Sequence, residues 1–256
     1  PAPGKGGRER RSRPRATMAP VRLTPRPWPR LSLVAALLAT LAACRAPAPA
    51  PPRELTLAVR ADVTGFFPNP PIANEGYTQD INWNVFEGLS GFDGSYHLVP
   101  ALARGWQTPD PRTYVFDLGP GQRFSDGTPV TAADVVASLE AHRAEGWVFR
   151  DTLQAIAPVR AEGDWRVVIR TRAPYPLLLA KLPWGMILPR AALATRPVRA
   201  IGTGPYRLES WSPGKGFVLR RNEHYRGAAP RFEVARFVVE PDPRQRLSLL
   251  RSGRAD

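Results

Sequence analysis

Catalysis needs reactive side chains at workable spacings, and this chain of 256 residues offers few. It has one cysteine, Cys44, which excludes a disulfide framework and a cysteine-type zinc site. Its three histidines, His97, His142 and His224, are dispersed, which argues against a His-rich metal centre. Neither a G-x-S-x-G elbow nor an H-E-x-x-H helix occurs, so the acyl-transfer and zinc-hydrolase patterns are missing. The 21 acidic residues beyond position 53 leave a carboxylate pair for glycoside chemistry as an open alternative. Gly202-Thr203-Gly204-Pro205-Tyr206 looks like a phosphate-binding loop but lacks the third glycine and the lysine. It reads instead as a tight turn entering a strand.

The net charge is +14, from 36 Lys and Arg against 22 Asp and Glu. Residues 1–53 hold eleven of those bases and one acid, Glu9, so most of the excess sits in a leader. Nucleic-acid binding therefore gains little support from composition. Met18 is the expected start. Arg22, Arg26 and Arg30 precede an apolar run from Leu31 to Ala43, interrupted only by Ser32 and Thr40. Thirteen helical residues rise roughly 20 Å, too short for a hydrocarbon core of about 30 Å. A basic region, a short apolar region and small residues describe a signal peptide over residues 1–43 with its upstream extension. The run ends Leu41-Ala42-Ala43-Cys44, which resembles a bacterial lipobox. That resemblance implies lipid attachment at Cys44. Residues 44–53 then alternate Ala and Pro, a stiff extended linker.

From Glu54 the texture becomes that of a folded domain. Leu55, Leu57 and Val59 alternate with polar or small residues and predict a strand. A Pro-, Gly- and Asn-rich loop follows, and Tyr77–Gly88 reads as a helix with Ile81 and Val85 on its buried side. Tyr114, Phe116 and Leu118 face one way in a second strand, ending at the Gly119-Pro120-Gly121 turn. Thr131 reads as a helix cap whose hydroxyl accepts a backbone N–H, with Asp134 three residues on. Ala132, Val135, Val136 and Leu139 form that helix's apolar stripe. Leu208–Trp211 and Phe217–Arg221 predict a hairpin around Ser212–Gly216, Phe232–Glu240 another strand, and Leu247–Leu250 a short helix.

Four segments in order carry a resemblance. They are Phe86-Glu87-Gly88-Leu89 with Leu98–Trp106; Tyr114–Leu118 running into Phe124–Val136; Gly202–Leu208 with Trp211 and Leu219–Tyr225; and Leu250–Asp256. Together they resemble family 5 of the bacterial extracellular solute-binding proteins, the peptide- and nickel-type components of ABC importers. The resemblance implies an α/β, mixed α+β fold of the periplasmic-binding-protein type, with two lobes around a cleft. Residues 54–92 and 173–240 would form the first lobe, and 93–172 an inserted extra domain. Residues 241–256 would begin the crossover to a second lobe that is missing from this sequence.

The resemblance further implies a monomeric receptor outside the cytoplasmic membrane, in the periplasm or at the cell surface, held by its lipid. It would pass a short peptide or related small solute to ABC permease subunits. No catalysis, cofactor, metal or nucleic acid is implied. The expected ligand contacts in this half are Phe66 and Phe67 in the loop after the first strand, Tyr77, Thr78 and Gln79 at the following helix, and Trp184. For each aromatic, core packing is the competing reading. A secreted hydrolase and a ligand-binding lipoprotein without a transport role are the alternatives.

Overall fold

The computed structural model describes residues 53–66, 76–144, 150–195 and 198–256. The signal segment, Cys44, the linker up to Pro52, and Phe67 lie outside the described residues. Two four-stranded sheets organise the rest. In the first, β1 (Glu54–Val59) runs parallel to β10 (Val234–Val239) in register from Glu54↔Val234 to Val59↔Val239. Then come β9 (Gly216–Arg221) and β8 (Tyr206–Ser212), both antiparallel, as the Ser212–Gly216 turn predicts. The second sheet is antiparallel throughout, in the order β4 (Gly105–Asp110), β5 (Thr113–Asp117), β7 (Arg166–Arg170), β6 (Arg160–Glu162). A short antiparallel pair, β2 (Ser90–Phe92) and β3 (Leu98–Pro100), lies between them in sequence.

Each sheet buries one apolar core. Phe217 and Phe237, on neighbouring strands, stack at 4.3 Å in the first, joined by Ile81, Val85 and Phe86. Tyr114, Phe116 and Leu118 face the second together with Val167 and Ile169. Helix α2 (Ala132–Ala144) closes that core with Ala132, Val135 and Leu139.

A flank of α2 beside its apolar stripe is polar at four-residue spacing, buried, and bonds the segment 186–190. Asp134 Oδ1 accepts from Arg190 N–H at 3.0 Å, Ser138 Oγ donates to Leu188 O at 3.1 Å, and His142 Nε2 donates to Met186 O at 3.0 Å. Helix positions i, i+4 and i+8 thus meet positions j, j−2 and j−4 of that segment, because two residues of near-extended chain rise about as far as four of helix. Met186 and Leu188 enter the first core and Ile187 the second, so this segment stitches the cores together.

Two expectations are corrected. Helix α1 spans Gly76–Asn82 and does not reach Gly88. Beyond it the chain tightens, with Asn84 N–H on Ile81 O and Val85 N–H on Asn82 O. That turns the carbonyls of Asn84 and Val85 outward, where Tyr206 and Gly204 N–H groups take them at 2.9 and 3.0 Å. The Gly202–Tyr206 turn is therefore built for close backbone approach. At Thr131 the capping runs the other way: its hydroxyl donates to Asp134 Oδ2 at 2.7 Å, and its N–H donates to the same oxygen at 2.9 Å. A buried carboxylate accepts more bonds than a hydroxyl, so Asp134 closes the turn and reaches Arg190 as well.

The remaining helices are short: α3 (Arg150–Gln154), α4 (Leu178–Lys181), α5 (Arg190–Leu193) and α6 (Pro243–Arg251). Helix α6 is capped by Asp242, which accepts from Arg244 N–H, and it ends at Gly253 with φ +67°. After it, Asp256 exchanges two bonds with the backbone of Thr56 on β1.

Candidate functional site

Strands β1 and β10 are parallel, so both deliver their carboxyl ends to one edge of the first sheet. Open α/β sheets bind ligands outside such ends. A cavity of about 620 Å³ lies there, lined by Val59, Arg60, Ala61, Gly76, Tyr77 and Pro241. This is within the usual range for small-molecule sites, roughly 300–1,000 Å³.

Two of the lining residues carry strong hydrogen-bonding groups. The Tyr77 hydroxyl is buried and has no hydrogen-bond partner among the described residues. Burial first, then the nearby Asp62 charge, pushes its pKa up to about 12, so it stays a neutral donor. Arg60 is exposed, and no carboxylate stands within ion-pair distance of it among the described residues. The loop carrying Arg60 is pinned by Asp62, whose carboxylate accepts from Trp211 Nε1 at 3.0 Å and Gly214 N–H at 2.7 Å. A fixed loop aims its side chains at little entropic cost on binding.

Of the other expected contacts, Gln79 Nε2 is also buried without a partner. Thr78 is buried, and its hydroxyl accepts from Thr64 N–H at 3.2 Å, tying α1 to the preceding loop. Phe66 stands in the first core, edge-on to Trp211 and Phe217, and does not line the cavity. Trp184 is half-buried elsewhere, edge-on to Trp83 at 5.4 Å and under the Lys181 ammonium at 5.8 Å. The cavity thus brings together Tyr77 and Arg60. Arg60 was not among the expected residues; its signal is a basic residue directly after the last residue of a strand.

Among the described residues, no three His, Cys, Asp or Glu side chains gather where they could hold a metal ion. No described helix is long and apolar enough to cross a membrane.

The chain belongs to the bacterial extracellular solute-binding proteins, family 5, whose middle region matches residues 97–256. It is 33% identical over 248 residues to Protein XP55 of Streptomyces lividans, covering 92% of this chain and 46% of that one. It is 28% identical over 213 residues to the glutathione-binding protein GsiB of Pectobacterium atrosepticum, covering 79% and 41%. Among solved structures, the binding protein MoaA of A. tumefaciens R10 in complex with mannopinic acid superposes with a TM-score of 0.73 at 27% identity. That match covers 80% of this chain and 44% of the other. The chain spans less than half the length of each of these relatives. The solved relative shares the mixed α/β fold seen here.

Proposed function

We propose that this chain supplies one wall of a solute receptor for an ABC importer, with a carboxylate-bearing, peptide-like solute as its ligand. The observation that carries the reading is the cavity at the carboxyl ends of β1 and β10, with Arg60 exposed and the Tyr77 hydroxyl unpaired. A carboxylate accepts strong, charge-assisted bonds from a guanidinium and a further bond from a phenol. In support, one relative is named for glutathione and another was solved with mannopinic acid, both of them carboxylic acids. Residues 54–92 and 173–240 act as the first lobe, 93–172 as an inserted domain, and 241–256 as the start of the crossover. In support, the first sheet draws its strands from 54–59 and 206–239, and the second from 105–170. The receptor works as a monomer and hands its solute to the permease subunits.

Calorimetry on the full-length protein tests this, using pooled di- and tripeptides with free or amidated C-termini. Free carboxyl ends should bind, and amidation should abolish most of the heat. Arg60→Ala should weaken binding about tenfold and Tyr77→Phe about fivefold, the worth of a charged and a neutral hydrogen bond. Equal binding of the amidated pool would overturn the assignment.

The same receptor is anchored outside the cytoplasmic membrane, in the periplasm or at the cell surface, through acyl chains on Cys44. One chain holds only weakly, whereas several anchor stably. An alkyne fatty acid fed to the cells should label the wild type and leave Cys44→Ala unlabelled. Equal labelling of the two would rule the anchor out.

A further inference from the structure

A second cavity, of about 190 Å³, lies where three parts of the chain meet. Glu87 and Thr203 come from the turn after α1 and from the Gly202–Tyr206 turn. Arg104 and Arg123 flank β5 in sequence, and His224 and Arg226 follow β9. We propose that this cavity is a binding site for a small oxyanion, a phosphate-like or carboxylate group, separate from the solute cavity.

The three guanidinium groups are each steadied by one backbone carbonyl. Arg104 donates to Pro120 O at 2.7 Å, Arg123 to Gly127 O at 2.7 Å, and Arg226 to Ala101 O. A guanidinium has five N–H donors, so each retains several. None of the three has a carboxylate within ion-pair distance among the described residues. Three fixed cations around one small space are a charge arrangement that an anion completes.

The remaining walls fit the same ligand. Thr203 is 5% exposed and its hydroxyl finds no acceptor in hydrogen-bond geometry, though it lies near enough to Glu87 to favour the ionised acid. A buried donor without an acceptor is costly, and an oxyanion oxygen supplies one. Among the described residues, Glu87 is the only acid lining the space. Burial pushes its pKa up to about 7 against the pull of Thr203 and Arg226, so near neutrality it also donates a proton to an oxyanion. Two N–H groups of the Gly202–Tyr206 turn, those of Gly204 and Tyr206, are spent on Val85 and Asn84 and are not free for a phosphate. Thr203 itself lines the cavity. The volume equals roughly six waters at about 30 Å³ each. It admits a phosphate or a carboxylate group.

Because the walls come from turns and connections next to both sheets, occupancy ties these segments together and raises stability by mass action. The test is thermal unfolding of the full chain at constant ionic strength, with phosphate, sulfate or acetate replacing chloride. The melting temperature should climb with the oxyanion and saturate. A response to phosphate and sulfate alone identifies a tetrahedral ligand, and a matching response to acetate identifies a carboxylate. Arg123→Gln and Thr203→Val should each weaken the apparent affinity about tenfold, and Thr203→Ser should restore it. Isothermal calorimetry below the transition gives the same comparison for variants that melt early. Arg60→Ala, which disables the solute cavity, should leave the response intact. Equal shifts in chloride, undiminished shifts in both variants, or loss of the response in Arg60→Ala would each overturn the proposal.

Discussion

Gly202→Ala will destabilise the fold by about 3 kcal/mol, whereas Gly94→Ala will stay within about 0.5 kcal/mol of the wild type. A Cβ on Gly202 would be driven into the Val85 carbonyl and the Phe86 ring. Both residues are almost wholly buried, and the Val85 carbonyl already accepts from Gly204 N–H. Backbone cannot rotate aside as a flexible side chain does, so the turn at 83–86 and the Gly202–Tyr206 turn must separate. Gly88 faces the Leu182 backbone and Gly204 the Asn84 backbone in the same way. Gly94 has nothing within 4 Å and is the control. Urea denaturation of the two variants decides the matter. A Gly202→Ala midpoint matching that of Gly94→Ala would mean that the close approach carries no energetic weight.

What was legible in the sequence follows from the range of the interactions. The alternation in 54–59 and 113–118 and the apolar stripe of α2 are local patterns, and the strands and helix stand where these put them. The end of α1 was not legible, because Asn84 and Val85 are drawn out of the helix by partners at 204 and 206. The polar stripe Asp134, Ser138 and His142 is visible as a spacing, but its meaning depends on carbonyls and an amide some fifty residues away. At Thr131 the sequence suggests the commoner capping pattern, in which the hydroxyl accepts. Asp134 took over because its second oxygen serves a distant N–H. At the site, Tyr77 came from the resemblance alone. Arg60 became visible once the parallel pairing of β1 with β10 showed which strand ends share an edge.

Buried His142 and half-buried Glu87 bring opposing contributions to the pH dependence of stability. His142 is fully enclosed, and desolvation lowers its pKa from 6.5 to about 4, with the bond to Met186 O resisting. Between those values the unfolded chain binds a proton that the folded chain refuses. Stability present above pH 6.5 is therefore lost as the pH falls toward 4. Glu87 is displaced upward, from 4.5 to about 7, by burial. Here the folded chain keeps a proton that the unfolded chain releases, so stability present below pH 4.5 is lost as the pH rises toward 7. Each displacement is worth about 3 kcal/mol. Between pH 4.5 and 6.5 the two slopes nearly cancel, and the wild type should show a flat profile there in chloride buffer. Glu87→Gln removes one slope. It should be more stable than the wild type by about 3 kcal/mol at pH 8 and should lose stability steadily from pH 6.5 to 4. His142→Gln keeps a neutral donor for Met186 O and removes the other slope, so its stability should fall as the pH rises through the same window. The lowered carboxylates Asp93, Asp110 and Glu209 are exposed and contribute alike to all three proteins. Urea denaturation of the three at half-unit pH steps reads the slopes directly. If Glu87→Gln retains the wild-type profile, Glu87 is ionised in the folded chain and its share of the balance is lost.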